Sequence, residues 1–335
     1  MIGMILKRLA ALPVILLVVY TITLTLAWAV PGNPLENPEG RQPPAEVIEA
    51  MKRQYNLDSF PRFYLSYLDS ASGFEYARDK FSGAIARDRA AALEAGELPP
   101  VRPVFNFGPS LQYEDWTVNE IIAGALPVSI TLGALAIIIA IVIGVTAGVV
   151  GAVKPNSLVD LATLAVALVG ISLPTFVIGT VLLLLFGVWI PILPVGGWGS
   201  VADLVLPSLT LSLPFAAYIA RLTRMGMIEA LSADYVRTAR AKGLSERKVL
   251  LKHALKNAFL PVLSFLGPAT ALAMTGSFIV ERVFTIPGMG KFFVNAVQNK
   301  DLFLIMGVVL IFATMLILFN LIVDVLYRWV DPRID

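Results

Sequence analysis

The chain of 335 residues contains no cysteine and a single histidine, His253. The first absence excludes disulfides, thiolate metal sites and a cysteine nucleophile. The second removes clusters of histidine ligands, so no metal site is expected. Charge is scarce as well. Asp, Glu, Lys and Arg make up 15% of residues, against about 25% in an ordinary soluble domain. Hydrophobic residues reach 57% and the mean hydropathy is +0.78, so the chain lacks the groups to cover a water-soluble surface. A phosphate loop is also missing. Gly288-Met289-Gly290-Lys291 looks like the end of one. However, Thr285 stands where the motif needs its first glycine, and Phe292 where it needs Ser or Thr. Any energy from ATP must therefore come from a partner. No catalytic residue and no nucleic-acid partner is expected.

What the chain does have is long apolar runs. About 20 such residues cross a bilayer core, so the chain reads as an all-α polytopic membrane protein. Lys7 and Arg8 precede the run 9–30, which is too long for the core of a signal peptide despite Ala27-Trp28-Ala29. It is the first span, with its N-terminus inside, so residues 1–30 form the first domain. Pro31-Gly32-Asn33-Pro34 stops it. Residues 31–118 form an extracytoplasmic domain with helices at 45–55 and 60–68 and one or two polar helices at 73–96, broken by Pro99, Pro100 and Pro103. Residues 119–335 hold five more spans. The second opens near Pro127, carries Gly144, Gly148 and Gly151 at helical spacing, and ends at Lys154-Pro155-Asn156. The third is expected at 161–190, with Ser172, Pro174 and Thr175 at a mid-span kink that lines a solute path or merely aids packing. Trp189 and Trp198 mark an outer interface. The fourth (204–220), the fifth (258–280) and the sixth (302–323) follow, with Tyr327-Arg328-Trp329 as an inner anchor. Six spans put both termini in the cytoplasm. Glu281, at the outer end of the fifth span, meets solute or the binding protein, or is an interfacial charge paired with Arg282 or a neighbour. Asp324 follows the sixth span at the inner interface. His253 is expected to make a structural hydrogen bond. No charge falls mid-span, which argues against an ion-coupled carrier.

Nine of the 26 Lys and Arg residues fall within 221–256. Such a segment emerges from hydrocarbon as a loop, and its positive excess places it in the cytoplasm. After Ser232-Ala233-Asp234 a helix is expected at 235–242. Gly243 stops it, and Ser245 caps a second helix at 245–257, with Lys248 leaving the capping box incomplete. A helix-glycine-helix knob suits a partner's groove, and its cations also suit anionic lipid headgroups.

These residues resemble a known family. Tyr235-Val236-Arg237-Thr238-Ala239-Arg240-Ala241-Lys242-Gly243-Leu244-Ser245, with His253-Ala254-Leu255-Lys256-Asn257-Ala258 and Pro261, is similar to the signature loop of binding-protein-dependent ABC importer permeases. Within them the dipeptide/oligopeptide/nickel group is most similar. Pro31-Gly32-Asn33-Pro34, Leu126-Pro127-Val128-Ser129-Ile130-Thr131-Leu132, Ser172-Leu173-Pro174-Thr175-Phe176, Phe284-Thr285-Ile286-Pro287-Gly288-Met289-Gly290 and Asp331-Pro332-Arg333 follow in the family's order. The superfamily's Glu-Ala-Ala is replaced by Arg237-Thr238-Ala239, which resembles the peptide subgroup. Residues 69–105 look like an insert.

The resemblance implies a type I ABC importer permease fold of six transmembrane helices in a bacterial or archaeal cytoplasmic membrane, with a helical insertion between the first two. It implies a second, homologous permease subunit, two cytoplasmic ATPases and an extracytoplasmic solute-binding protein that delivers peptides. ATP and magnesium would act in the ATPases and not in this chain. The coupling loop at about 229–257 would dock through Tyr235, Arg237, Thr238, Ala239, Arg240, Ala241, Lys242, Gly243, Leu244, Ser245, Glu246 and Arg247. Ser172, Pro174, Thr175 and Glu281 are the candidates for the solute path. Nickel, opines or oligosaccharides are the alternative cargoes within the family.

Overall fold

The computed structural model describes residues 2–35, 44–99, 101–113 and 115–330. Pro100 and the Asp331-Pro332-Arg333 motif lie outside them. Among the described residues the regular structure is helical, apart from one bridge between Pro109 and Thr117.

Helix α1 runs Ile2–Ala29. Four short helices follow: α2 (Ala45–Gln54), α3 (Phe60–Ser72), α4 (Phe74–Phe81) and α5 (Ala84–Glu94). Helix α6 (Val118–Val153) starts nine residues before Pro127. The reason is a capping box: the Glu120 carboxylate accepts from the Thr117 N–H and hydroxyl, and Thr117 Oγ1 accepts from the Glu120 N–H. Helices α7 (Leu158–Ser172) and α8 (Thr175–Leu183) follow, α8 running on as a π turn, Leu184–Trp189. Helix α9 (Val201–Ser232) is closed at its start by a box between Ser200 and Asp203. It contains Pro207 and Pro214 without breaking, and it continues past Ala220 through Arg221 and Arg224. The first part of the basic segment is thus a helix extension rather than loop: no proline follows Pro214 in it, and Gly226, the one poor helix former, sits where a Cβ would lie 2.7 Å from the Ala258 carbonyl oxygen.

Among the described residues five helices are long and apolar enough to cross a membrane, and up to six spans result when α7 and α8 count as one. The third span is not a straight helix with a kink. Its two halves are bent by 106°. Leu173 is extended and Pro174 lacks the N–H that would continue the ladder. Asp160 at the start of α7 binds Arg224 near the end of α9, and eleven residues separate Trp189 from the start of α9 at Val201.

The chain divides into two units. One comprises Met1–Pro13, Ala125–Lys291 and Thr314–Asp335. Its core holds Val128, Leu132, Leu206, Val280, Phe284 and Ile286. Here α6 meets α9 at glycines. A Cβ on Gly144 would lie 2.6 Å from the Ala216 carbonyl oxygen, and one on Gly148 2.5 Å from Thr223 Cβ and 2.6 Å from the Ala220 oxygen. Both neighbours are backbone or helix-bound atoms with little room to yield. Gly148→Ala is therefore expected to destabilise by about 1–3 kcal/mol through overpacking, read as a lower melting temperature of the detergent-solubilised protein. Arg8 pairs with Asp324 at 2.7 Å. Asp324 lies inside a helix and not after the last span, since α16 (Leu302–Val330) continues past Val323.

The other unit comprises Val14–Gly124 and Phe292–Ala313. Its core is aromatic: Tyr67 stacks on Tyr20 and Phe63, and Phe303 meets Tyr55, Phe63 and Tyr67. The Tyr20 hydroxyl donates to the Tyr64 carbonyl at 2.6 Å. Buried Asp301 accepts from the Leu304 N–H at the start of α16, and from the Ser110 hydroxyl and Leu111 N–H. Burial pushes its carboxyl above its ordinary value, against the pull of those hydrogen bonds. The polar stretch 73–96 forms two helices, α4 and α5, and Arg102 ties Asp79 (2.7 Å) to Asp88 (2.6 Å) behind them.

Candidate functional site

The basic segment leaves α9 at Ser232 and forms α10 (Asp234–Ala241), α11 (Glu246–Lys248), a π turn (Val249–Ala254) and α12 (Leu255–Ala258). Helix α13 (Leu260–Met274) then starts with Pro261 in its first turn, where the missing N–H is harmless.

The link between α10 and α11 is a Schellman turn. Gly243 has φ +76°. Its N–H donates to the Arg240 carbonyl at 2.9 Å, and the Leu244 N–H reaches back to the Ala239 carbonyl at 3.3 Å. Leu244 packs on a buried cluster of Val236, Ala239, Val249, Ala254, Met227 and Ala152. The knob is therefore anchored by its apolar face. Arg240 closes it from the outside, donating to Glu246 at 2.9 and 3.3 Å.

The docking candidates divide accordingly. Tyr235, Arg237, Thr238, Arg240, Ala241, Lys242, Gly243, Ser245, Glu246 and Arg247 are exposed. Ala239 is buried and Leu244 half-buried, so these two hold the knob and present nothing. The Ser245 hydroxyl makes no capping hydrogen bond. With Lys248 at the third position there is no reciprocal acceptor, and Glu246 is engaged by Arg240. The second helix is α only at its ends, with the π turn between. His253 lies half-buried in that turn and has no side-chain hydrogen bond among the described residues, contrary to expectation.

Reasoning from sequence missed the brace behind the knob. Asp160 is fully buried and accepts from Arg224 through Nε and Nη2, the latter at 2.7 Å. It also accepts the Asn156 N–H at 2.8 Å. The signal was present as a lone Asp at the start of one span and Arg224 at the inner end of the next.

The solute-path candidates are not brought together. Ser172 and Pro174 are exposed at the α7–α8 break and Thr175 is half-buried. Glu281 is 1% exposed and makes its polar contacts elsewhere. It does not pair with Arg282, which is exposed. Instead it sits on α14 (Phe278–Val283), beyond a break at Thr275-Gly276-Ser277, and accepts the Ser129 hydroxyl at 2.8 Å and the Gly290 N–H at 2.9 Å. It lies near the end of the span Leu260–Val283, so that span does carry a buried carboxyl group, its oxygens satisfied by hydrogen bonds from the Ser129 hydroxyl and the Gly290 N–H.

Several helices long and apolar enough to cross a membrane, with a cation-bearing knob between two of them, make this an integral membrane protein. Residues 140–335 match the family described as "Binding-protein-dependent transport system inner membrane component". The oligopeptide transport system permease protein OppB of Haemophilus influenzae is 38% identical, over 100% of this chain and 99% of the relative. The dipeptide transport system permease protein DppB of Bacillus subtilis is 36% identical, over 98% and 96%. A solved structure of the MetNI methionine ABC transporter in inward-facing conformations aligns with a TM-score of 0.50 at 16% identity, covering 63% of this chain and 97% of that one. It shows the fold. The chain belongs to the family of binding-protein-dependent transport system inner membrane components, the permease subunits of ABC importers.

Proposed function

We propose that this permease carries peptides inward, in a complex with a second, homologous permease, two ATPases on the cytoplasmic side and a solute-binding protein on the other. The observation that carries this reading is the knob: an exposed row of Arg237, Arg240, Lys242 and Arg247 on a base of buried Val236, Ala239 and Val249. Such a part transmits force without flexing. Its cations would face the grooves of the ATPases, which hold ATP and magnesium, and would also rest on anionic headgroups. ATP-driven closure of the ATPases would draw two knobs together and open the path outward, a rigid-body transition about a central site. Peptide cargo follows from the full-length likeness to permeases named for oligopeptides and dipeptides.

The test is uptake of labelled di- and oligopeptides into proteoliposomes holding the whole complex and its binding protein. Uptake is expected with enclosed ATP and at background without it. Uptake in the absence of nucleotide overturns the reading. Competition by nickel or an oligosaccharide, with none by peptide, moves the cargo assignment.

A further inference from the structure

Gly288-Met289-Gly290-Lys291 has the look of a phosphate loop, and the structure shows what its backbone donors hold. They hold the chain's own carboxylate. The Gly290 N–H donates to Glu281 Oε2 at 2.9 Å, and the Lys291 N–H lies 3.4 Å from the same oxygen. The Met289 N–H donates to Ser129 Oγ at 2.8 Å, and that hydroxyl donates to Glu281 Oε1 at 2.8 Å. Ser129 and Glu281 are both buried. An ionised carboxylate is an acceptor only, so each oxygen meets a matched donor.

The glycines are there for access. A Cβ on Gly288 would lie 2.5 Å from Glu281 Oε1 and 2.6 Å from Ser129 Oγ, and one on Gly276 2.8 Å from the same carboxylate oxygen. No side chain fits at either place. The clamp joins three pieces of chain: α6 through Ser129, α14 through Glu281, and the start of α15 (Met289–Gln298) through its first backbone N–H groups. Between them the loop drives Ile286, 2% exposed, into the core beside Val128, Leu132 and Phe284. On the other side of α14, the backbone breaks at Gly276, with φ +99°. Helix α14 is thus loosely joined to α13 and firmly joined to α6.

We propose that Glu281 is a positioning residue for transport. Through Ser129 and the 288–291 backbone it makes α14, its loop and α6 move as one body while the break at Thr275-Gly276-Ser277 bends. The proposal rests on the transport reading above and adds the part that converts helix movement into opening of the path. It gives Glu281 no contact with solute.

The absence of cysteine supplies the experiment. Ile286→Cys in the complete complex, in lipid nanodiscs, is exposed to a water-soluble maleimide. With Glu281 in place labelling is slow. Glu281→Ala is expected to raise the labelling rate by at least about tenfold, as a buried segment opens locally. Ser129→Ala, which keeps the carboxylate, moves it the same way by less and carries the test should Glu281→Ala fail to assemble. Glu281→Asp, which keeps the charge, restores part of the protection. In the same variants uptake per ATP hydrolysed falls while hydrolysis persists, a change that a loss of folded protein does not produce. Equal labelling across the four backgrounds, or uptake and hydrolysis falling in parallel, overturns the proposal. Labelling reads the clamp without reference to cargo. A changed labelling rate with no ATP-driven uptake would sink the transport reading and leave the clamp standing.

Discussion

Replacing Gly243 with proline is expected to reduce ATP-driven uptake to background while leaving the protein in the membrane. Gly243 holds φ +76°, and proline fixes φ near −65°. The substitution also deletes the N–H that donates to the Arg240 carbonyl. In addition it pushes Lys242, now at φ −76° and ψ 1°, toward extended backbone. The Schellman turn is lost, and with it the angle between α10 and α11. The strain exceeds about 3 kcal/mol, so the native knob falls to under roughly one part in a hundred of the population. The spans do not depend on this turn, so expression and insertion persist. Gly243→Ala provides the contrast. No atom lies within 4 Å of its Cβ, so the cost is the left-handed backbone alone, about 1–2 kcal/mol. Uptake then falls at most about thirtyfold and recovers as ATPase is added in excess, because docking selects the native turn. Proteoliposome uptake and ATPase co-purification measure both variants. Full uptake by Gly243→Pro would remove the knob from the coupling mechanism.

The contrast between the knob and the clamp shows which features a single sequence displays. The knob is local: a helix, a glycine and a helix within some fifteen residues, with cations on the face opposite Val236 and Ala239. Periodicity and glycine placement suffice to see it. The spans are legible for the same reason, since about 20 apolar residues need no tertiary context. The 106° break was readable in kind but not in degree: Pro174 announces an interruption, whereas the angle depends on what each half packs against. Here α8 lies on α9 and α14, with Gly179 close to Thr210 and Phe284. The Glu281 clamp was out of reach, because Ser129 lies 152 residues away. The Gly-Met-Gly-Lys stretch was a usable clue. A phosphate loop without its Ser or Thr still offers a row of N–H groups, and the nearest carboxylate in sequence is Glu281. The Thr117–Glu120 box was plainly spelled and would have corrected the start of α6.

Removing the carboxylate of Asp160 is expected to hurt more than removing both partners of its ion pair. Asp160 is buried and Arg224 is 19% exposed, with their side chains joined by two hydrogen bonds. The carboxylate also fixes the turn before α7 through the Asn156 N–H, where Asn156 has φ +59°. Asp160→Ala leaves a guanidinium at the boundary of the apolar core with no counter-charge, beside α6 at Gly151, where a Cβ would already lie 3.0 Å from Asp160 Oδ1. A half-removed pair costs more than an absent one, because an uncompensated charge stays behind. Asp160→Ala alone should therefore lower the yield of assembled complex by roughly tenfold, and Arg224→Ala should rescue part of that loss in the double variant. The measurement is the monodisperse fraction after heating, for both single variants and the double. Additive losses would mean that the two residues act separately, in which case the end of α9 that feeds the knob is steadied by packing, at Gly144 and Gly148 and in the cluster around Met227. Partial rescue would mean that the charge pair sets where α9 ends relative to α7, and hence the direction from which the knob is pulled.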